Sequence, residues 1–514
     1  MLYFAIFLKR KAVKHFKFIA FCLLSCLVRN IYAKHIEGQE CAALCLGSEN
    51  IELVQESKSF RIFKVVDGNG YAIVSLLNPN FPKIIGYSKT SVWKQKDMPT
   101  PLSEWLEYIQ EDSICKEEQT DVYKSKSFSI ERHSVLPLLK TSWHQGAPYN
   151  DMSPIISDGN IKTAAGCVAV AAAQIVYYWK LDNPSSTLED TPLYPYGTAP
   201  VTLSIPKGTP NKWDKILNSY IGVDDEEARN AVAQLVYVVG TTSYLNYASS
   251  TGGQISDAAN AIYSQFRLLS DYSSKKKFEQ EEWENLIYED LQKGFPVLYS
   301  GATKSGAAHA FVVDGYDSEL NLFHINFGWG GTGDGFYSLD DTEGLDGYCI
   351  NQSCVYGIRP EKRNITLECD MENVTVGEGY IFKLGIINQG TLPLKKVVLV
   401  DGSSSTQKEL VTFDVNVPND NVERQVTLTC NSIKGVKSVF FKDDWGTNLG
   451  ELNIESTGIS YIYGQLQNIH SKIYDLTGKP VRKMKRGGVY LYPKGKGCQK
   501  FVFNPTCSHP TTES

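Results

Sequence analysis

The longest nearly continuous apolar stretch in the interior of the chain runs from Val168 to Trp179. It is alanine-rich and is followed by Asp182, Asn183 and Pro184, so it predicts a helix that begins at Gly166-Cys167. Three further helical patterns follow at about 225–239, 255–266 and 281–292. The pattern then changes to short β runs at 296–299, 309–314, 322–326 and 335–339. Helices first and sheet second predicts an α+β unit over about 133–360.

Upstream, residues 60–66 and 71–77 read as paired strands joined by the turn Asp67-Gly68-Asn69-Gly70. A short amphipathic helix is predicted at 102–109, and the polar stretch 111–127 reads as an exposed linker. These features define a first unit over 34–132. Downstream, residues 364–455 alternate in the β manner with recurring turn residues, which predicts an immunoglobulin-like sandwich. A short tail, 460–514, completes the chain.

The first 33 residues read as an export signal. Lys9, Arg10, Lys11, Lys14 and Lys17 precede the apolar stretch 18–28, and Ala33 offers a small residue for cleavage. That stretch is shorter than the roughly 20 residues a membrane span needs. Leu23-Leu24-Ser25-Cys26 loosely resembles a lipoprotein cleavage box, but the residues after it are unlike a lipoprotein start. A secreted or cell-surface protein is therefore expected, ahead of a periplasmic or lipid-anchored one, with no membrane span once the signal is removed.

A chain of 514 residues exceeds the roughly 250–300 that one core supports, in keeping with several domains. The net charge of −6, with no strongly basic segment beyond the N-terminus, argues against a nucleic-acid partner. Of twelve cysteines, Cys22 and Cys26 fall in the signal. An exported chain permits disulfides, and the local pairs Cys41–Cys45, Cys349–Cys354 and Cys498–Cys507 are candidates, as is Cys369–Cys430 across the sandwich. The connectivity stays open; this scheme leaves Cys115 and Cys167 over. Without CxxC pairs or clustered histidines, neither a metal nor a cofactor is expected.

Cys167 is the candidate nucleophile. A helix N-terminus carries partial positive charge that favours a thiolate, and its free N–H groups can hold an oxyanion. A nucleophilic cysteine needs a base, and the second unit contains only His133, His144, His309 and His324. His309 heads an apolar strand behind small residues, whereas His324 is flanked in its strand by Phe323 and Ile325, which places it on their opposite face. Asn326 carries an amide able to orient an imidazole, and Trp329 can shield that imidazole from water.

Together these blocks resemble the streptopain family of papain-like cysteine proteases. Gly166-Cys167-Val168-Ala169 with Ala173-Gln174-Ile175 resembles the nucleophile helix. His309-Ala310-Phe311-Val312-Val313-Asp314-Gly315 resembles the base strand, and His324-Ile325-Asn326-Phe327-Gly328-Trp329-Gly330-Gly331 the block after it. Trp143-His144-Gln145-Gly146-Ala147-Pro148-Tyr149-Asn150 resembles the start of the mature enzyme. The resemblance implies a papain-like catalytic domain in which Cys167 attacks the scissile carbonyl and His309 moves the proton. It implies that Gln145 completes the oxyanion hole and that Asn326 helps orient His309. Ala308, the 249–253 loop with Gly252, Phe327 and Trp329 are the implied substrate-side residues. Phe327 replaces a frequent tryptophan of the family and Ala308 a frequent glycine.

Residues 34–132, through Tyr71–Ser75 and the Ile84-Ile85-Gly86-Tyr87-Ser88 run, resemble the family's inhibitory propeptide, which implies a zymogen whose cleft is covered until cleavage within 125–135. Through Ile473-Tyr474-Asp475-Leu476-Thr477-Gly478 and Gly488-Val489-Tyr490 the tail resembles sorting modules of secreted Bacteroidetes proteins, while the extension 497–514 with its two cysteines departs from that pattern. The expected function is a cysteine endopeptidase acting on protein or peptide substrates, with its own propeptide as intramolecular inhibitor. The rival readings are an inactive relative serving as a binding or adhesion module, and an inhibitor built on the first unit.

Overall fold

The computed structural model describes residues 38–76, 83–93, 106, 131–156, 161–182, 187–193, 203–303, 306–339, 348, 350–374, 379–403, 407–430, 436–453, 474–475, 488–494 and 497–503. The signal segment, the linker at 111–127 and most of the helix expected at 102–109 lie outside them; Leu106 is described and buried.

The chain divides into two compact units. One holds the residues up to Tyr178 and 185–359, and the other holds 179–184 and everything from Pro360 onward. The first unit begins with α1 (Gly38–Leu46), β1 (Ile51–Glu56), β2 (Phe60–Val65), β3 (Tyr71–Ser75) and β4 (Lys83–Ser88). After the small hairpin β5 (Ile155–Ile156) and β6 (Ile161–Lys162) come α2 (Cys167–Tyr178), α3 (Glu226–Thr242), α4 (Ile255–Phe266) and β7 (Leu268–Ser274). They are followed by α5 (Gln280–Lys293), β8 (Val297–Ala302), β9 (Ala308–Asp317), β10 (Leu322–Asn326), β11 (Gly335–Tyr337) and β12 (Ile350–Pro360).

These strands form one ten-stranded sheet in the order β1-β2-β3-β4-β11-β10-β9-β8-β12-β7. The sequence suggests two separate units here. In the structure, strands from 51–88 continue the sheet of the later segment through the antiparallel pair β4–β11, with Phe336 opposite Tyr87 and Tyr337 opposite Gly86. A Cβ at Gly86 would come within 2.8 Å of the Tyr337 ring, so glycine makes room for that tyrosine. Tyr87 stacks on Phe336 at 4.9 Å and donates to Asp317 at 2.8 Å. One hydrophobic core runs through both segments and includes Phe60, Ile73, Trp93, Trp283, Phe311 and Tyr337.

Helix α2 is buried from Val168 to Tyr177. A helix apolar on all sides belongs in an interior, and its alanines permit close approach of its neighbours. It packs against α3, α4 and β9. Helix α3 is N-capped by Asp225, whose carboxylate accepts from the Glu227 and Ala228 N–H groups. Helix α5 ends at Gly294, whose φ of 84° suits a left-handed cap.

In the second unit, β13 (Ile365–Val374), β14 (Gly379–Asn388) and β17 (Arg424–Cys430) make one sheet. Strands β15 (Leu394–Asp401), β16 (Glu409–Val417), β18 (Ser438–Asp443) and β19 (Asn448–Asn453) make another, ordered β16-β15-β18-β19. Phe382, Leu384, Leu399 and Phe441 from the two sheets share one core. The tail adds β20 (Tyr474–Asp475), β21 (Gly488–Lys494) and β22 (Gly497–Phe503).

The expected bridge from Cys369 to Cys430 is not made. Both lie in one sheet, with β14 between them, Cys369 opposite Leu384 and Cys430 opposite Tyr380. Two strand spacings of about 4.8 Å already exceed the roughly 7 Å limit between bridged Cα atoms. Nor is Cys41–Cys45 bridged, because Cys45 is a free thiol. Cys354 is likewise free and buried, and Cys349 and Cys507 lie outside the described residues.

Candidate active site

Cys167 is the first residue of α2, and Gly166 before it has φ +91°. A Cβ on Gly166 would meet Thr251 Cγ2 at 2.9 Å and Leu245 Cδ1 at 3.0 Å, so the approach to the helix is tight as well as left-handed. Two neighbours fix it. The Ala165 N–H donates to the Gln145 carbonyl at 3.0 Å, which ties Gln145 to the turn before Cys167. The Ala164 N–H donates to the Ala248 carbonyl, and Thr251 Oγ1 donates to the Ala164 carbonyl at 2.7 Å. The loop containing the exposed Gly252 is thereby tied to the same turn.

Cys167 opens α2, so its sulfur sits at the helix N-terminus. Burial pushes the thiol above its ordinary pKa, and the nearby backbone N–H groups of Ala310, Val168 and Cys167 oppose the rise. The helix terminus thus acts in the expected direction, but burial outweighs it. The helix that Cys167 opens packs against β9, the strand that carries His309.

His309 is buried near the start of β9, and the preceding Ala308 is exposed. The His309 Nε2 atom lies 2.8 Å from the Phe327 carbonyl oxygen. A carbonyl only accepts, so Nε2 carries the hydrogen and the neutral ring keeps its lone pair on Nδ1. Burial pulls the His309 pKa down to about 4, against the opposing pull of that bond. Thiol and imidazole are both neutral in this form. Trp329, partly exposed, stacks on His309 at 4.8 Å and on Phe327 at 4.8 Å.

Two expectations change. Phe327 was expected on the substrate side but is fully buried in the core, so its ring presents no surface to a substrate. Asn326 was expected to orient His309, yet the atom on His309 Nε2 is the Phe327 carbonyl. The Asn326 side chain instead accepts from Gly328 N–H at 3.1 Å and from Gln174 Nε2 at 3.2 Å, and donates to the Thr141 carbonyl at 2.7 Å. His324 is bound to Asp314 at 2.6 Å. Burial works against its charged form, but the Asp314 carboxylate and Asp334 hold its pKa above the usual value. Its partner is an acid on its own side of the sheet, in keeping with its exclusion as the base.

Sequence reasoning missed Asp334, whose Oδ1 accepts from the Phe327 N–H at 2.9 Å. It also missed the polar contacts from the first segment. Ser91 Oγ lies 2.6 Å from the Gly331 carbonyl and 3.1 Å from that of Asp334, and the Tyr71 hydroxyl lies 3.3 Å from the Gly333 carbonyl. The loop that carries Trp329 is therefore held from the first segment. Burial raises the Asp334 pKa from 3.8 to about 7, against the Phe327 N–H and His324. A carboxyl raised in the folded state adds stability that is present below its ordinary value and is lost as pH rises through the folded value. Asp334→Asn keeps an acceptor for Phe327 and removes the titration. We expect it to melt higher than wild type above about pH 7 and the two to converge near about pH 4. A variant that melts lower across the whole range in thermal scans would show that the carboxylate is net favourable.

Among the described residues no cluster of three or more potential metal ligands is found, and no helix is long and apolar enough to cross a membrane.

Residues 143–337 match the Peptidase C10 family, and residues 39–113 match the Spi protease inhibitor family. The chain is 28% identical over 360 residues to streptopain of Streptococcus pyogenes, covering 63% of this chain and 88% of that one. It is 29% identical over 337 residues to the thiol protease/hemagglutinin PrtT of Porphyromonas gingivalis, covering 60% of this chain and 37% of the relative. Among solved structures, a fragment of Prevotella intermedia prointerpain A is 26% identical with a TM-score of 0.49, covering 61% of this chain and 99% of the fragment. Active interpain A from the same organism is 30% identical with a TM-score of 0.39, covering 44% and 96%.

Proposed function

Because the chain belongs to the Peptidase C10 family, the streptopain family of cysteine peptidases, we propose that it is an exported endopeptidase made as a zymogen. The observations that carry this reading are a cysteine at the first position of α2, a helix packed on β9, and a buried histidine of β9 whose tautomer leaves Nδ1 as a base.

In the proposed mechanism His309 Nδ1 takes the proton of the Cys167 thiol as sulfur attacks the peptide carbonyl. Charge on the resulting oxyanion is held by the Cys167 N–H and the Gln145 side-chain amide. The imidazolium then gives its proton to the departing amine as the C–N bond breaks, leaving a thioester. Water, deprotonated by His309, adds to the thioester, and sulfur leaves as the acid product forms. Asn326 serves this chemistry through the backbone. It binds the N–H of the Phe327–Gly328 peptide whose carbonyl accepts from His309. Ala308, Gly252 and Trp329 are the proposed rim of the substrate cleft.

Residues 34–132 are proposed as the inhibitory propeptide, 133–360 as the papain-like catalytic domain, and 1–33 as the export signal. The bonds from Ser91 and Tyr71 to the Trp329 loop support control of the site by this propeptide. For 364–455 the immunoglobulin-like reading is supported by a three-stranded and a four-stranded antiparallel sheet around one core. The tail from 460 is proposed as a surface-sorting module.

A thiol-directed epoxide tests the central claim. Processed wild-type protein is expected to be labelled at Cys167 and to lose peptide hydrolysis in proportion. Absence of labelling by mass spectrometry would favour the inactive binding module instead.

A further inference from the structure

Gln174 is the one side chain of α2 that combines full burial with an amide. It lies seven residues beyond Cys167, two helical turns on, and therefore on the same face as the nucleophile. An amide in an apolar interior is costly unless its polar atoms are paired, and an apolar residue would fill the same space. Here the amide is paired on both sides. Thr141 Oγ1 donates to Gln174 Oε1 at 2.7 Å, and Gln174 Nε2 donates to Asn326 Oδ1 at 3.2 Å.

The orientation of this network is forced by its backbone members. Gly328 N–H can only donate, so the Asn326 atom facing it is oxygen. The Thr141 carbonyl can only accept, so the Asn326 atom facing it is nitrogen. Asn326 Oδ1 then requires a donor from Gln174, which leaves Gln174 Oε1 for the Thr141 hydroxyl. The chain of bonds continues through the Phe327–Gly328 peptide to His309 Nε2 at 2.8 Å.

We propose that Gln174 is a positioning residue for the reaction: its buried amide ties the helix that presents Cys167 to the peptide that orients His309. It touches neither substrate nor reacting atoms. Its effect is to hold nucleophile and base at one separation and the imidazole in one tautomer. The proposal rests on the peptidase reading above.

The test uses the full-length chain, processed by added protease where a variant does not process itself. Gln174→Met conserves volume and removes both polar atoms. We expect kcat to fall roughly 10- to 100-fold, with KM within about twofold, because small misplacements near reacting groups cost rates of this size. The acid limb of the kcat/KM pH profile should also move, since His309 loses a fixed partner geometry. Gln174→Glu supplies a signature that a merely structural role would not. Its carboxylate cannot donate to Asn326 Oδ1 but its protonated form can, so its kcat relative to wild type should recover as pH falls. If Gln174→Met does not fold, Thr141→Val removes the hydroxyl partner and should lower kcat in the same direction. A labelled, active wild type together with a folded variant whose kcat stays within about threefold and whose pH profile is unchanged would overturn this inference alone. Loss confined to KM or to melting temperature would overturn it too. A wild type that the epoxide does not label would overturn the peptidase reading, and this inference with it.

Discussion

Cys167→Ala is expected to lower kcat for peptide hydrolysis by roughly five to six orders of magnitude, and His309→Ala to lower it by nearly as much. The double variant should be no worse than either single one, because thiol and base act as one unit. The structure supplies the reason. The helix that Cys167 opens packs on the strand of His309, and the Phe327 carbonyl leaves Nδ1 as the lone-pair nitrogen. Without that base, the partly buried Cys167 thiol is held above its ordinary pKa and has little thiolate at neutral pH. Single-turnover hydrolysis of a fluorogenic peptide measures all four proteins. A His309→Ala protein within about 100-fold of wild type, with losses that add in the double variant, would require a different base. The same Cys167→Ala protein, prepared pure, should remain unprocessed. Normal maturation would argue against self-cleavage while leaving activity in trans intact.

Gly166→Ala is expected to lower kcat/KM by about 100-fold, although the added methyl carries no charge and removes no hydrogen bond. The backbone there has φ +91°, which costs an alanine about 1–3 kcal/mol, and the new Cβ would meet Thr251 Cγ2 at 2.9 Å. Thr251 cannot simply withdraw, because its hydroxyl is bonded to the Ala164 carbonyl at 2.7 Å. Relief must come from Cys167 and the turn before it, which also carries the bond to Gln145. Adding Thr251→Ser keeps the hydroxyl and deletes the clashing methyl, so the double variant should regain part of the loss. Recovery to full activity would mean that the clash mattered and the left-handed backbone did not. Activity of Gly166→Ala within about threefold of wild type would remove the turn from the account of the site.

The elements of the catalytic segment were legible where the hydrophobic period is strong. The helix expected from Gly166-Cys167 is α2, the one expected at 255–266 is α4 to the residue, and the strand at 322–326 is β10. Strand β12 and the junction β4–β11 were not foreseen. Period reveals that a segment pairs, but not with which edge it pairs. The Cys369–Cys430 pairing failed for a related reason, since spacing in sequence says nothing about which sheet a strand joins.

By itself the sequence determined the chemical types of the site. A cysteine opens the most apolar helix, one histidine heads a strand behind small residues, and Asn326 ends the next strand. Local rules suffice for that, because helix starts and strand faces are set by neighbours a few residues away. The tertiary structure alone decided how those groups are joined. The acceptor on His309 is a backbone carbonyl, a group every residue possesses, so no side-chain pattern could single out Phe327. Gln174 did leave a trace, an amide in an otherwise apolar run, but its meaning depends on Thr141 and Asn326 arriving from distant segments. Ser91 and Tyr71 likewise acquire a role only when the first segment completes the sheet beside β11, and Asp334 only when the loop after β10 folds back on Phe327. Hydrogen bonds are short and directional, and which donors meet which acceptors is fixed only when the whole core closes.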